Sequence, residues 1–226
     1  MSRVRSNKGC VILGGGGHAL SVIDCILSAG LVEGLVVLDR DPARLGSRIA
    51  GVEVIGDDAL LPSLFESGFD QFIVGLGTIG VCTSRKRLFG LASSTGLRPL
   101  TIRDPTAHVS TLAFLAEGVQ VLRGALVNAQ ADIGANAIIN SGAIVEHDCR
   151  IGDHVHVASG AILAGGVSVG ECTLIGAGST VRQYVKVGKN AVVGAGAVVV
   201  ADVPEGATVV GVPARVVASI RGFNAQ

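Results

Sequence analysis

Between Val109 and Pro204 apolar and small or polar residues recur with a period of six. Val109, Leu115, Val121, Val127, Ile133, Ile139, Val145, Ile151, Val157, Leu163, Val169, Ile175, Val181, Val187, Val193 and Val199 fall six apart without exception. Four places after each stands a small or slender residue, as in Ala125, Ala131, Ala137, Ala143, Cys149, Val155 and Ala161. Glycine recurs in the second and fourth places, as in Ile133-Gly134, Ile151-Gly152 and Ala195-Gly196. A period of six matches neither the helical 3.6 nor the simple alternation of a hairpin sheet. It predicts a solenoid in which each hexad makes one flat side and one corner of a triangular coil. The aliphatic residue points inward, the small one fits beneath the corner, and sixteen hexads at three per coil make a little over five coils.

The N-terminal third reads differently. Cys10 to Leu13 form a short apolar strand, followed by Gly14-Gly15-Gly16-Gly17-His18. A helix is predicted from about Ala19 to Ser28, with Val22, Ile23, Ile26 and Leu27 on one face and Gly30 closing it. A second strand, Gly34 to Leu38, ends at Asp39. Strand, glycine-rich turn, helix, strand and acid in that order open a Rossmann-like unit, whose helix N-terminus offers N–H donors to a phosphate. A tight turn with no ligand fits Gly14-x-Gly16-x-x-Ala19 about equally well. Further on, a helix is expected near Asp57 to Ser67, a strand at Gln71 to Val74, the loop Leu76 to Val81, and a helix from about Val81 to Ser93. That helix carries Arg85, Lys86 and Arg87, and a strand near Arg98 to Ile102 leads into the coils. The basic cluster reads as a phosphate grip or as a solvated face. Residues 1–105 are thus expected to form a small α/β domain of some four parallel strands, short for a complete dinucleotide fold. Residues 106–226 are expected to form the solenoid.

Composition narrows the function. Aromatic residues make up 3% of the chain and tryptophan is absent, so the interior must be built from Val, Ile, Leu and Ala, as a narrow coil requires. Eighteen basic residues balance eighteen acidic ones, which gives no electrostatic case for nucleic acid or an anionic membrane. No apolar run spans a bilayer, and Met1 to Gly9 lacks the apolar core of a signal peptide. The five cysteines are scattered and never in a CxxC pair. They read as reduced thiols of a cytoplasmic protein, with neither a disulfide frame nor a zinc site.

Within the repeat, Val145 to His156 concentrates acids and imidazoles, with three of the five histidines inside ten residues. Residues 18 apart stack directly, about 4.8 Å away across one strand spacing. One coil beyond His147 lies Gly165, with Gly166 beside it, and one coil before lies Ala129. His147 occupies the third hexad place, outside the prism, so it is not a core histidine. It is either an ordinary surface residue or an imidazole in a dent floored by glycine. Asp148 is placed to orient that ring if the corner turn brings both side chains to one side. His156 is a candidate for a second ligand group, whereas His154 reads as plain surface. Cys149 fills an inward small-residue place and reads as packing, not as a nucleophile.

The chain resembles the bacterial sugar O-acyltransferase family typed by the sialic-acid O-acetyltransferases. Relatives of that family N-acetylate nucleotide-linked 4-amino-4,6-dideoxy sugars. The resemblance lies in Gly14-Gly15-Gly16-Gly17-His18-Ala19, the strand ending in Asp39, the Arg85-Lys86-Arg87-Leu88 helix, Val145-Glu146-His147-Asp148-Cys149 with His156 nine residues after His147, and Gly211-Val212-Pro213-Ala214-Arg215. It implies a left-handed parallel β-helix after a Rossmann-like nucleotide-sugar domain, and a homotrimer with acetyl-CoA bound between adjacent coils. It further implies His147 as catalytic base, Asp148 as its partner, and His156 against the acetyl end. Gly165, Gly166 and Gly211-Val212-Pro213-Ala214 would help hold coenzyme A. Gly14, Gly16, Gly17, His18, Asp39 and Arg85 would hold a UDP- or GDP-linked aminosugar. No metal is expected: the histidine spacing of seven and then two does not resemble that of the carbonic anhydrases sharing such a coil. O-acetylation of a sugar hydroxyl and a non-catalytic nucleotide-sugar scaffold are the alternatives.

Overall fold

The computed structural model describes residues 9–78 and 82–219. The N-terminal polar stretch and the far end of the Leu76 to Val81 loop fall outside the described residues. The chain divides into two compact units, one holding residues up to Gly77 and Ser84–Ile102, the other Thr78–Thr83 and everything from Arg103 on.

In the first unit, β1 (Cys10–Leu13) is wholly buried and pairs in parallel with both β2 (Leu35–Leu38) and a later strand, Gln71–Val74. Between β1 and β2 runs α1 (Gly17–Ala29), whose Ala19, Val22, Ile23 and Ile26 turn inward. Gly30 ends it in the left-handed region, where glycine carries no Cβ penalty. After β2 come β3 (Arg48–Ile49) and β4 (Val52–Gly56), an antiparallel hairpin that the sequence pattern missed. Then follow α2 (Leu61–Glu66), β5 (Gln71–Val74), α3 (Thr83–Ser94) and β6 (Arg98–Pro99). The strand order is β3-β4-β2-β1-β5-β6, so the sheet has six strands where some four were expected. The two strands of the hairpin make up the difference, β6 is shorter than the strand expected from Arg98 to Ile102, and the chain from Ile102 on joins the coils. Chain direction across the sheet reverses at β1, which places a ligand crevice beyond the carboxyl ends of β1, β2 and β5.

The second unit is the coil, and from His108 to Val199 its strands pair in steps of 18 residues, shortened to 16 where Val192–Val193 meets Thr208–Val209. One face carries Gln120–Val121, Ile138–Ile139, His156–Val157, Leu174–Ile175 and Val192–Val193, all parallel. A second carries His108–Val109, Leu126–Val127, Ile144–Val145, Ile162–Leu163, Thr180–Val181 and Val198–Val199. The third carries Phe114–Leu115, Asp132–Ile133, Arg150–Ile151, Ser168–Val169 and Lys186–Val187. The hexad aliphatics and small fifth-place residues form one continuous core from Ala107 to Val209. Second-place glycines are sterically required, since a Cβ on Gly152 would fall 2.7 Å from the Glu171 backbone nitrogen of the next coil. From Gly118 to Gly196 the fourth-place residues turn the corners with positive φ, including Gln130, Asn136, Asp148, His154, Cys172, Tyr184 and Asn190.

The cysteines correct an expectation. Cys82 and Cys172 form a disulfide across 90 residues of sequence, while Cys10, Cys25 and Cys149 are buried and in no disulfide. The bond ties the Thr78–Thr83 segment to a corner of the coil, a proximity that no local spacing announces.

Candidate active site

His147 and Asp148 occupy one corner of the coil, and the corner's geometry brings them together. In an extended strand, neighbouring side chains point to opposite faces. Asp148 is in the left-handed conformation, φ 60°, which swings its carboxylate to the same side as the imidazole. His147 Nδ1 and Asp148 Oδ2 lie 2.7 Å apart. A carboxylate only accepts, so Nδ1 carries the hydrogen and Nε2 presents its lone pair. Both side chains are more than half exposed. Such a pair adds about 0–1 kcal/mol to stability, so its consequence is the tautomer and aim of the ring. The ring leans over Gly165, where a Cβ would fall 2.6 Å from Cε1 and 2.7 Å from Nε2. The backbone beneath is fixed by Gly166 N–H donating to His147 O at 2.9 Å and Asp148 N–H to Ala129 O at 3.1 Å. Among the described residues nothing accepts the Gly165 N–H.

Cys149, the next residue, is fully buried and its thiol faces Ala164 O at 3.3 Å. Burial pushes its pKa up to about 11. A thiol held in its protonated form and out of solvent is no nucleophile.

The other two histidines are not where the sequence put them. His154, read as surface, is buried, with Nδ1 3.0 Å from Asn136 Nδ2 in the corner one coil before. Both fourth-place residues turn with positive φ, so their side chains stack in one column. The 18-residue spacing from Asn136 was the available signal. His156 stands on a different face from His147, with strand Arg150–Ile151 between them. It is also buried: Nδ1 lies 3.1 Å from Thr78 O, and Nε2 lies 3.0 Å from Asn140 Nδ2. Asn140 Oδ1 accepts from Ser141 N–H, so the Asn140 amide presents its NH2 to Nε2, and Nδ1 donates to Thr78 O. Within one chain the two imidazoles do not share a site. The Gly211-Val212-Pro213-Ala214 segment lies against the last coil, with Val198 N–H donating to Gly211 O and Ala214 N–H to Val198 O. Val212 is 73% exposed.

The N-terminal unit has its own crevice. Gly16 caps α1 without a side-chain partner, and the space around Gly16 and Gly17 is open. His18 lies beside Gly77. A cavity of about 170 Å³ is lined by Gly14, Leu38, Asp39, Arg40, Asp58, Leu76, Ser84, Arg87 and Leu88. Both carboxylate oxygens of Asp39 accept backbone N–H groups, from Gly15 and from Asp41. It therefore pins the glycine loop to the end of β2. Arg44, which the sequence reading passed over, donates to Gly15 O at 2.6 Å.

Arg85 requires a correction. Its guanidinium is buried, 2% exposed, and donates to the carbonyls of Val74 at 3.0 Å and Leu76 at 2.6 Å. It braces the carboxyl end of β5 instead of facing a ligand. Burial lowers its pKa to about 9, which leaves it charged at neutral pH. The signal was present: Arg85, Leu88 and Ala92 share the buried face of α3 at helical spacing. The basic groups that do reach the cavity are Arg40 and Arg87, both paired with Asp58 Oδ2, at 2.9 and 3.1 Å. Arg85→Ala is expected to cost about 2–4 kcal/mol of stability in urea unfolding, because a buried carbonyl and a part-buried one lose their donor and the buried side chain leaves a void. Arg87→Ala, at a half-exposed site, is expected to stay within about 0.5 kcal/mol.

No helix among the described residues is long and apolar enough to cross a membrane. Among those residues no group of three His, Cys, Asp or Glu is placed to hold a metal ion.

Comparison with known proteins agrees with the two-part fold. Residues 10–90 match the profile of the PglD N-terminal domain, and residues 130–165 and 166–201 match that of the bacterial transferase hexapeptide (six repeats). The chain is similar to the GDP-perosamine N-acetyltransferase from Caulobacter crescentus, solved as a histidine-to-alanine variant in complex with coenzyme A and GDP-perosamine. Identity is 42%, the TM-score is 0.87, and 93% of this chain and 97% of that one are covered. It is also similar to the acetyltransferase domain of PglB from Neisseria gonorrhoeae in complex with acetyl coenzyme A, at 34% identity and TM-score 0.87, over 94% and 100% of the two chains. WeeI from Acinetobacter baumannii follows at 25% identity and TM-score 0.80, over 92% and 99%. Among curated proteins, none matches the chain. The coil is a left-handed parallel β-helix following a Rossmann-like domain.

Proposed function

The chain belongs to the bacterial hexapeptide-repeat sugar acyltransferase family that includes the GDP-perosamine N-acetyltransferase and the PglB acetyltransferase domain, and we propose on that footing that it is an acetyl-CoA-dependent N-acetyltransferase. Its acceptor is the amino group of a 4-amino-4,6-dideoxy sugar linked to UDP or GDP. The observation that carries the reading is the His147 Nε2, bared by its partner Asp148 and held over the naked backbone of Gly165.

An alkyl ammonium must lose a proton before or as its nitrogen attacks the thioester carbonyl, and an imidazole with a free lone pair accepts it. Asp148 stabilises the imidazolium so formed. The amine attacks directly, its nitrogen bonds to the acetyl carbon, and the carbon–sulfur bond breaks to release coenzyme A. No covalent enzyme intermediate is involved, which suits an inert Cys149. The Gly165 N–H is the donor available to the developing oxyanion, a role worth about 3 kcal/mol. Gly211-Val212-Pro213-Ala214 contributes to coenzyme A binding. The nucleotide lies at the crevice of Gly14, Gly16, Gly17 and His18, with Asp39 shaping the loop.

The assembly is a homotrimer. The face bearing Leu126, Ile144, Ile162, Thr180 and Val198 is mostly apolar, with Leu126 and Ile162 exposed, and it runs up to the corner of His147. A second copy seated there closes a groove over the imidazole, whereas His156, with both ring nitrogens engaged, stays a support for the coil. Multi-angle light scattering should give three times the 22.7 kDa chain.

The test is an acceptor panel. UDP- and GDP-linked 4-amino-4,6-dideoxy sugars are incubated with acetyl-CoA, and the free thiol of coenzyme A is followed. Release with an amino sugar, absent with its 4-hydroxy counterpart, is the expected result. Release with sialic acid alone moves the protein to O-acetylation, and no acetyl-CoA binding at all leaves only the scaffold reading.

A further inference from the structure

The corner column that holds His147 carries one more conspicuous side chain. Residues 147–148, 165–166 and 183–184 fill the third and fourth hexad places of three successive coils. Tyr184 is the chain's one tyrosine, stands 70% exposed and sits at φ 61°. A bulky residue in that region costs on the order of 1–3 kcal/mol, and most corners of this coil use Gly or Asn instead. Its ring lies along Gly166, where a Cβ would fall 2.5 Å from Cδ1 and 2.7 Å from Cε1. The imidazole lies along Gly165 in the same way. The Gly165-Gly166 step is therefore a bare ledge, with a ring leaning onto it from the coil on each side. Tyr184 N–H donates to Gly165 O at 3.0 Å, which fixes the two rungs to each other.

Beyond the phenol opens a hollow of about 600 Å³, lined by Arg182, Gln183, Tyr184, Val185, Ala201 and Asp202. Val198, which holds the Gly211-Val212-Pro213-Ala214 segment, belongs to the coil of Ala201. That coil lies three strand spacings from the coil of His147, about 14 Å along the axis. A cosubstrate with its thioester at His147 and its far end at Gly211-Val212-Pro213-Ala214 has to pass the rung of Tyr184.

We propose that Tyr184 binds the cosubstrate: its ring is the wall along which the pantetheine arm of an acyl-CoA lies. This rests on the acyl-transfer reading above and extends it to a residue outside the family's matching motifs. The arm is a chain of methylenes broken by two amides. The ring face shelters the methylenes from water, and the phenol hydroxyl and the Gln183 amide offer polar partners to the amides. The wall also fixes where along the ledge the thioester stops, which is over Gly165.

Calorimetry with coenzyme A on the unsubstituted protein, Tyr184→Ala and Tyr184→Phe tests this. Tyr184→Ala is expected to weaken coenzyme A binding about tenfold. It should raise KM for acetyl-CoA in step while leaving KM for the aminosugar and the pH profile unchanged. Tyr184→Phe is expected to recover most of the affinity, because the ring is retained. Equal coenzyme A affinity in the alanine variant and the parent, or a loss confined to the aminosugar KM, overturns the assignment of Tyr184 alone. Absence of coenzyme A binding by the unsubstituted protein overturns the acyl-transfer reading beneath it as well.

Discussion

His147→Ala is expected to lower kcat by about 10²–10⁴-fold, the usual contribution of a positioned general base, without changing the fold. The two halves of that expectation have separate grounds. Chemically, Nε2 is the basic atom that Asp148 and Gly165 jointly present, and neither Asp153 nor Glu146 occupies the third-place corner above Gly165. Structurally, the imidazole is 57% exposed and outside the prism, and its ion pair is of the exposed kind worth about 0–1 kcal/mol. The thermal midpoint and the oligomer should therefore be those of the parent. Measuring kcat at saturating acetyl-CoA and aminosugar, with a melt on the same sample, separates the two effects. A variant with the parent's kcat overturns the role of His147, and a variant that melts early removes the ground for reading lost activity as chemistry.

The coil was legible because its interior allows so little. A prism one side chain wide admits an aliphatic at every sixth place and a small residue beneath each corner. Sixteen unbroken repeats therefore fix the 18-residue stacking that the strand pairs show. That same phase places His147 on the outside, next to Gly165, from the sequence alone. The hydrogen bond to Asp148 was less accessible, since it depends on one φ angle that a strand pattern does not reveal.

What escaped the sequence was burial by segments far away in the chain. His156 occupies an outward place, yet Thr78, 78 residues earlier, sits on its ring. Cys172 is likewise at a corner and finds Cys82 across 90 residues. Periodicity describes what each coil does with its own residues and is silent on what covers it. Arg85 failed for another reason. A run of Arg-Lys-Arg reads as a solvated or phosphate-facing patch by composition, whereas position decides the matter, and Arg85 shares the inward face with Leu88. The β3–β4 hairpin was passed over because its turn, Ile49-Ala50-Gly51-Val52, puts φ 46° on Ala50 and lacks the usual Asn-Gly signal.

Gly165→Ala is expected to reduce kcat by about 10²-fold while sparing the coil, and the reason is local. The added methyl would fall 2.6–2.7 Å from His147 Cε1 and Nε2, closer than any real Cβ contact. The nearest atoms belong to a side chain that is 57% exposed, so the ring rotates away and the backbone stays. Gly165 is not among the residues of positive φ, so alanine adds no backbone strain there. The ring that rotates loses its aim over the ledge and its hold on Asp148, and a displacement of about 1 Å in a reacting group costs about 10²-fold. Gly160→Ala is the contrasting change. It sits at φ 67° with nothing within 4 Å of the new methyl. It should cost roughly 1 kcal/mol of stability for the left-handed backbone and leave turnover alone. Steady-state rates and urea melts on the two variants should therefore show opposite patterns, activity without stability in one and stability without activity in the other. If both variants lost only stability, the bare backbone under His147 would be a packing requirement, and the imidazole would not need it to act.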